Sequence, residues 1–289
     1  MTGFDVVVVG SANLDLVATL DHLPTPGETL IALDYAEHAG GKGLNQAVAC
    51  ARMGARTAFV GCVGRDDAGT LLRNVLEREG IDATLLRTME APTGRAFINV
   101  DKRGENEIVV VSGANALVTP VELPQAAVVL LQLEIPLSTV VATLQAARSR
   151  GITTVLNPAP AQTLTAELLS LVDVAVPNEN EARLLGGKDH LLSLGVRDVV
   201  TTLGERGAEV ANASGVAAVA PHKVEAVDTV GAGDAFTGAM CAMLAQGWTV
   251  QEAARVGAVA GALATTVHGA VPSLPTKQAV DAAFGGLSK

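Results

Sequence analysis

The sequence predicts an α/β fold of three layers: helices on both faces of a central, mostly parallel twisted sheet, with a small second β-sheet attached as a lid. Three observations lead to it. From residue 128 onward, short apolar β-branched runs alternate with helical periodicities, the pattern of a parallel sheet covered by helices. Residues 5–10 are an aspartate, four valines and a glycine, as expected of a strand buried on both faces. Strand-like pairs within about 14–39 and 94–111 interrupt the alternation, and those pairs make the second sheet. With 289 residues, 49% of them hydrophobic, residues 1–289 read as one large domain with a sizeable core.

Composition excludes some functions. The net charge is −10 and no dense Lys/Arg cluster occurs, so neither nucleic acid nor an anionic membrane is an expected partner. Cys50, Cys62 and Cys241 are far apart in apolar settings without metal-ligand spacing, which reads as reduced, buried thiols. The N-terminus leads straight into a strand and lacks a signal-peptide pattern, and the longest uncharged runs fall short of a membrane span. A soluble, cytoplasmic protein is expected. His22, His38, His190, His222 and His268 form no ligand pattern.

Taken in order, strand 5–10 is followed by Ser11-Ala12-Asn13-Leu14-Asp15 at its carboxyl end, where open α/β sheets bind ligands; a polar turn is the plain alternative. Neither GxGxxG nor a Walker GxxxxGK[ST] sequence occurs there, so a nucleotide must be held another way. Residues 16–20 read as a strand, 24–28 as a turn and 29–35 as a second strand. Gly40-Gly41-Lys42-Gly43 then opens a helix, on which Leu44, Ala47, Val48 and Ala51 recur at i, i+3, i+4, i+7 before Gly54 stops it. Strand 57–60, helix 66–78 and strands 94–100 and 107–111 follow, the last two joined by Asp101-Lys102-Arg103-Gly104. Strands are then predicted at 128–133, 153–156, 174–176 and 199–202, with a helix at 137–150. Gln132, Glu134, Asn157, Asn178, Glu181 and Thr202 all stand at or just past strand ends, more polar groups on one edge than capping requires. Helices after Gly233 and over 251–267 complete the chain.

The chemistry concentrates in Asp228-Thr229-Val230-Gly231-Ala232-Gly233-Asp234-Ala235-Phe236. Its two glycines let a ligand approach the main chain, and the free amides and positive end of the following helix make an anion site. Asp234 sits at the lip of that site. Amides that hold growing charge, next to an acid that can orient a hydroxyl, suit phosphoryl transfer. The bland reading is a turn with Asp as N-cap. A helix N-terminus should also push the Asp234 pKa down, so orientation matters more than basicity here.

The nonamer at 228–236 resembles the C-terminal signature of the ribokinase-type carbohydrate kinase family. Gly40-Gly41-Lys42-Gly43-Leu44-Asn45-Gln46-Ala47 is similar to its N-terminal signature, and Pro24-Thr25-Pro26-Gly27-Glu28-Thr29 matches as well. That resemblance implies ATP-dependent phosphorylation of a sugar hydroxyl, with D-ribose to D-ribose 5-phosphate favoured by the 24–29 and 40–47 stretches and Asn157-Pro-Ala-Pro160. Fructose, 2-keto-3-deoxygluconate or a nucleoside is the alternative substrate, and a non-catalytic sensor the alternative class. It implies Asp234 as base with Gly231, Ala232 and Gly233 as the anion hole. It also implies Asn13, Asp15, Gly41, Lys42, Gly43, Asn45, Glu134 and Asp234 around the sugar. Nucleotide contacts would come from Asn178, Thr202, Gly204, Glu205, Arg206, Gly207 and Gly233. Glu181, in the Asn178-Glu179-Asn180-Glu181 element, would help place Mg²⁺. Asp228, Val230, Ala264, Val267, Gly269 and Ser273 would hold a monovalent cation, K⁺. The implied assembly is a homodimer through the lid sheet. From the residues alone, Lys42 and Arg206 read equally as solvated charges and Glu181 as a first-turn acid favoured by the helix dipole. Residues 185–198 look short of most of one surface helix, on the rim of the nucleotide site.

Overall fold

A computed structural model describes residues 3–287. The strands are β1 (Phe4–Val9), β2 (Asn13–Leu20), β3 (Asp34–Gly40), β4 (Thr57–Gly64), β5 (Leu86–Met89), β6 (Gly94–Asp101), β7 (Asn106–Val111), β8 (Ala126–Leu131), β9 (Thr153–Leu156), β10 (Val174–Ala175), β11 (Asp198–Thr202), β12 (Ala208–Asn212) and β13 (Gly215–Val219). The α-helices are α1 (Lys42–Arg52), α2 (Asp67–Arg78), α3 (Leu137–Ser149), α4 (Ala166–Leu169), α5 (Glu179–Leu184), α6 (Lys188–Ser193), α7 (Ala232–Ala245), α8 (Val250–Ala264), α9 (Ala270–Ser273) and α10 (Lys277–Phe284).

Nine strands form the main sheet in the order β13-β12-β11-β10-β9-β8-β1-β4-β5. Pairings are parallel from β11 through to β5, and antiparallel only at β11–β12 and β12–β13. Beside β1 the strand order reverses, the switch point at whose carboxyl edge such sheets bind ligands. The valine run explains its own position. Val6 and Val8 pack under α1, α7 and α8, while Val7 and Val9 pack into the opposite layer with Val140 and Leu144 of α3, and all four are 0–1% exposed. A strand covered on both faces has no polar side to display.

The second sheet has the order β3-β2-β6-β7. β2 begins at Asn13, so the polar stretch after β1 is not a turn but the start of this sheet, and Asn13 and Asp15 point to one face of it. The predicted strand at 29–35 is corrected: 29–33 is irregular, Ile31 is 93% exposed, and the strand is Asp34–Gly40, paired so that Gly40 stands opposite Asn13. α8 ends at Ala264 rather than 267, and α6 occupies part of the segment expected to be short. The sequence reading missed β5, the β12–β13 hairpin and α10.

The relation between α1 and α7 positions everything that follows. A Cβ built on Gly238 of α7 would lie 2.4 Å from the Ala49 Cβ and 2.7 Å from the Gln46 carbonyl oxygen of α1. The helices touch backbone to backbone, and the Cys50 thiol donates to the Gly238 carbonyl at 3.3 Å. A mid-helix glycine normally costs about 1 kcal/mol against alanine; here overpacking against main chain outweighs it. Gly238→Ala is therefore expected to lower stability by about 1–3 kcal/mol, read as a lower Tm in thermal melts. A raised Tm would mean that the helices part without cost.

Candidate active site

Three chain segments meet at the carboxyl edge of β1: residues 11–15, the start of α1, and the start of α7. Two glycines make the first two compatible. Gly41 has φ +88°, the left-handed region, and a Cβ there would lie 2.8 Å from the Asn13 amide nitrogen. A Cβ on Gly43 would lie 2.5 Å from the Ser11 nitrogen. Only bare backbone at these positions lets α1 begin against the β1–β2 connection, and the Leu44 amide donates to the Ser11 carbonyl at 2.9 Å.

Asp234 is the third residue of α7, after Gly231 in a left-handed conformation (φ 79°, ψ −6°). Its carboxylate is buried and faces α1. Asn45 Nδ2 donates to Oδ2 at 2.9 Å and Gln46 Nε2 to Oδ1 at 2.8 Å. Gly233 is exposed, with nothing within 4 Å of where its Cβ would be, so the first-turn amides, which lack acceptors within the helix, face open space. Asp15, Glu134 and Lys42 complete the cluster. Ser11 Oγ donates to Glu134 Oε2 at 2.5 Å, and so does the Lys42 amide at 3.2 Å. Asn13 Oδ1 accepts from Asn115 Nδ2 at 2.7 Å.

These groups shift one another's charge. Burial, then Glu134 and Asp234, raise the Asp15 pKa to about 7 against the opposing pull of Lys42. Burial also drives Asp234 above the ordinary carboxylate range, although Lys42, Asn45 and Gln46 pull it down. The expectation of a depressed Asp234 is thus corrected: removal from water outweighs the helix terminus. Burial works against the Lys42 ammonium, but Asp234, Glu134, Glu181 and Asp15 more than offset it and hold its pKa above the usual lysine value. Lys42 is therefore not the solvated surface charge that its spacing allowed.

On the far side, Asn178 caps α5: its side chain accepts from the Glu181 amide at 2.8 Å, and Glu181 Oε2 accepts from the Asn178 amide at 2.8 Å. Burial raises the Glu181 pKa despite this cap and Lys42. Residue 178 pairs with Thr202 at the end of β11, which brings the 178–181 and 202–207 segments side by side. Glu205 and Arg206 lie on the single 3₁₀ turn Gly204–Arg206, between Gly204 (φ +61°) and Gly207 (φ +85°). Arg206 pairs with Glu179 at 2.6 Å, both well exposed.

Asp228 ties two loops together. Its Oδ1 accepts from the Val230 amide at 2.9 Å and its Oδ2 from the Gly269 amide at 2.8 Å. Ala264 ends α8 and Val267 follows it, while Ser273 Oγ donates to the Ala270 carbonyl at 2.8 Å. Among the described residues no group of three or more His, Cys, Asp or Glu could hold a metal unaided. Sequence reasoning missed Gln46 and Asn115 as members of this cluster, and it set Ser11 and Gln132 at strand ends on the ligand-binding edge without giving either a role. Gln46 lies inside the glycine motif but looks like any helix residue, and Asn115 lies 102 positions from Asn13.

A carboxyl whose folded pKa is raised contributes stability below its unfolded value and loses it as pH climbs through the folded one. For Asp15 that window runs from about 4 to about 7. At 1.36 kcal/mol per unit the ceiling is about 4 kcal/mol. Asp15→Asn is expected to melt higher than the parent protein at pH 8 and to lose that advantage at pH 4. Equal differences at both values would remove Asp15 as the source.

The profile of the pfkB family of carbohydrate kinases matches residues 4–277. Ribokinase of Haemophilus influenzae is 40% identical over 293 residues, covering 94% of this chain and 96% of that one. The structure of ribokinase from Thermotoga maritima superposes with a TM-score of 0.89 at 37% identity, covering 98% and 100% of the two chains. That of Arabidopsis thaliana ribokinase complexed with ribose and ATP gives 0.88 at 32% identity, covering 98% and 99%. With a cluster of this geometry at the switch point and matches that run nearly end to end, the chain belongs to the pfkB family of carbohydrate kinases.

Proposed function

We propose that this protein transfers the terminal phosphoryl group of ATP to D-ribose, giving D-ribose 5-phosphate. The observation that supports this most directly is the Asp234 carboxylate. It is buried, bonded through both oxygens to amides of α1, and adjacent to the open first-turn amides of α7. A hydroxyl placed against it can donate its proton to the carboxylate, and a raised pKa makes that acceptor more basic than an exposed aspartate. In a loose transition state the proton moves late, while the Gly231, Ala232 and Gly233 amides take up charge on the transferred group. Asn13, Asp15, Lys42, Asn45 and Glu134 supply the mixed donors and acceptors a polyol needs, with Gly41 and Gly43 leaving room at the main chain. Asn178, Thr202 and the Gly204–Gly207 turn line the expected nucleotide side.

The residues fit the ions such a reaction uses. Glu181 spends one carboxylate oxygen on its cap, and a single acid suits Mg²⁺, which keeps several waters; when bound, that ion supplies charge to phosphate oxygens. For K⁺, Asp228 holds the 228–230 and 268–269 loops together. Carbonyls of Val230, Ala264, Val267 and Gly269, with Ser273, would supply the oxygen-only surroundings.

The small sheet is read as the lid, and its exposed surface as a homodimer contact. Phe97, Ile108, Val109, Val110 and Val111 are each about half exposed on β6 and the edge strand β7, an apolar edge that native proteins usually cover.

Asp234→Asn is expected to lower turnover at least ~100-fold with little change in ribose affinity. Near-normal ADP release by that variant would refute the assignment. A coupled ADP-release screen over pentoses, 2-deoxyribose, hexoses and nucleosides, with and without K⁺, tests substrate and ion; the best specificity constant should fall on D-ribose. Sedimentation of the parent protein and of Val109→Asp tests the assembly: a dimer becoming a monomer supports it, and an unchanged mass rejects it.

A further inference from the structure

Behind Asp234 lies a chain of buried side-chain amides that leads away from the open face of the site. Gln46 is 0% exposed and uses all three bonds it makes. Its Nε2 donates to Asp234 Oδ1 at 2.8 Å and to Asn157 Oδ1 at 3.0 Å, and its Oε1 accepts from Gln132 Nε2 at 2.6 Å. Asn157, at the end of β9, donates in turn from Nδ2 to the Val176 carbonyl at 2.8 Å.

The direction of this chain is not free. A main-chain carbonyl can only accept, so Val176 obliges Asn157 to turn its NH₂ that way and its Oδ1 toward Gln46. Gln46 must answer with its own NH₂, whose second hydrogen then points at Asp234 Oδ1. That oxygen is thereby committed as an acceptor. Gln132 locks the remaining vertex, and it does so at a cost: Gln132 Oε1 is buried without a partner among the described residues. Gly10 is part of the same arrangement, because a Cβ there would lie 2.1 Å from that oxygen.

We infer that Gln46 and Asn157 are positioning residues that hold Asp234 Oδ1 as a permanent acceptor, so that Oδ2 is the oxygen that takes the proton from the sugar hydroxyl. A second observation marks the same side. Oδ2 also accepts a bond, from Asn45 at 2.9 Å, but the Asn45 Oδ1 is buried and unpartnered among the described residues, so that amide, unlike that of Gln46, is not fixed by a second bond and can turn its oxygen to a proton on Oδ2. The inference rests on the reading of Asp234 as the base. It adds which oxygen acts and what fixes it. In this step the sugar O–H bond breaks, its proton goes to Asp234 Oδ2, and its electron pair forms the bond to the terminal phosphorus of ATP, while the bond from that phosphorus to its bridging oxygen breaks and ADP leaves with the electron pair.

Gln46→Met removes the donor to Oδ1 while keeping length and bulk. Lys42 of α1, Glu134 after β8, Asp15 of β2 and Glu181 of α5 also act on the Asp234 carboxylate or on Lys42 beside it, and all remain in place. With D-ribose and ATP, kcat is expected to fall about 10- to 100-fold. The acid limb of the pH–kcat profile should move to higher pH, because a lost donor disfavours the ionised acid. Ribose affinity by calorimetry should stay within about threefold. An unmoved profile overturns the inference, as does a loss of ribose affinity equal to the loss of kcat. Should Gln46→Met fail to fold, Asn157→Ala removes the acceptor that fixes the direction of the Gln46 amide and so loosens its bond to Asp234 Oδ1; a smaller upward movement is expected, and its absence is equally fatal. Asp234→Asn in parallel separates the two readings. Activity retained there removes the base itself, whereas activity lost there beside an unmoved Gln46→Met profile removes only the positioning.

Discussion

The carboxylate of Asp234, buried between two helices, is the interaction on which the rest of the structure depends. A charged oxygen pair out of water is costly unless fully hydrogen-bonded. α1 meets that requirement with two consecutive side-chain amides, Asn45 and Gln46. Consecutive residues on a helix point about 100° apart, so both reach one carboxylate only if α7 comes very close. The glycine at 238 permits that approach, and the glycines at 41 and 43 let α1 start where it must. Backbone at these positions cannot acquire side chains without moving the acid.

Around that acid the charges are arranged to conflict. Asp15, Glu134, Glu181 and Asp234 all act on Lys42, and one ammonium cannot neutralise four carboxylates. The raised pKa values of Asp15, Glu181 and Asp234 express that imbalance together with burial. Such a cluster does not favour the folded chain by itself, and functional sites commonly set stability aside in this way. The compensation lies in the two apolar layers on either face of the main sheet, where the four valines of β1 alternate between cores. A rigid strand directly beneath the site keeps unfavourable charges at fixed separations.

Much of this was readable in the residues. The valine run, the helix periodicity after Gly43 and the strand–helix alternation beyond residue 128 each follow from local pattern, and the elements stand close to where those patterns put them. The β12–β13 hairpin escaped because its residues are mostly alanine, asparagine and glycine, poor strand formers that are ordered by pairing onto β11. β3 was displaced for the opposite reason. Leu30 and Ile31 look like a strand, but the register is set by Gly40 standing opposite Asn13, and that leaves Ile31 in solvent. The two glycine motifs pointed to where the cluster forms. They carried no sign of Ser11, Gln132 or Asn115, whose bonds to the site span 86 to 123 positions and depend on sheet order alone.

The same distinction explains why Asp234 was misjudged as a weak acceptor. A helix terminus is visible in a sequence, so its electrostatic effect is easy to assign. Burial is not visible, because it depends on which distant segment covers the residue. Here α1 covers Asp234 and removes it from water, and the loss of hydration outweighs the pull of the helix end and of three donors and cations together. The acid at the mouth of the glycine turn is thus more basic than its local sequence implies, because of a helix that lies nearly 190 residues away in the chain. Topology, more than motif chemistry, sets the proton affinity at this position.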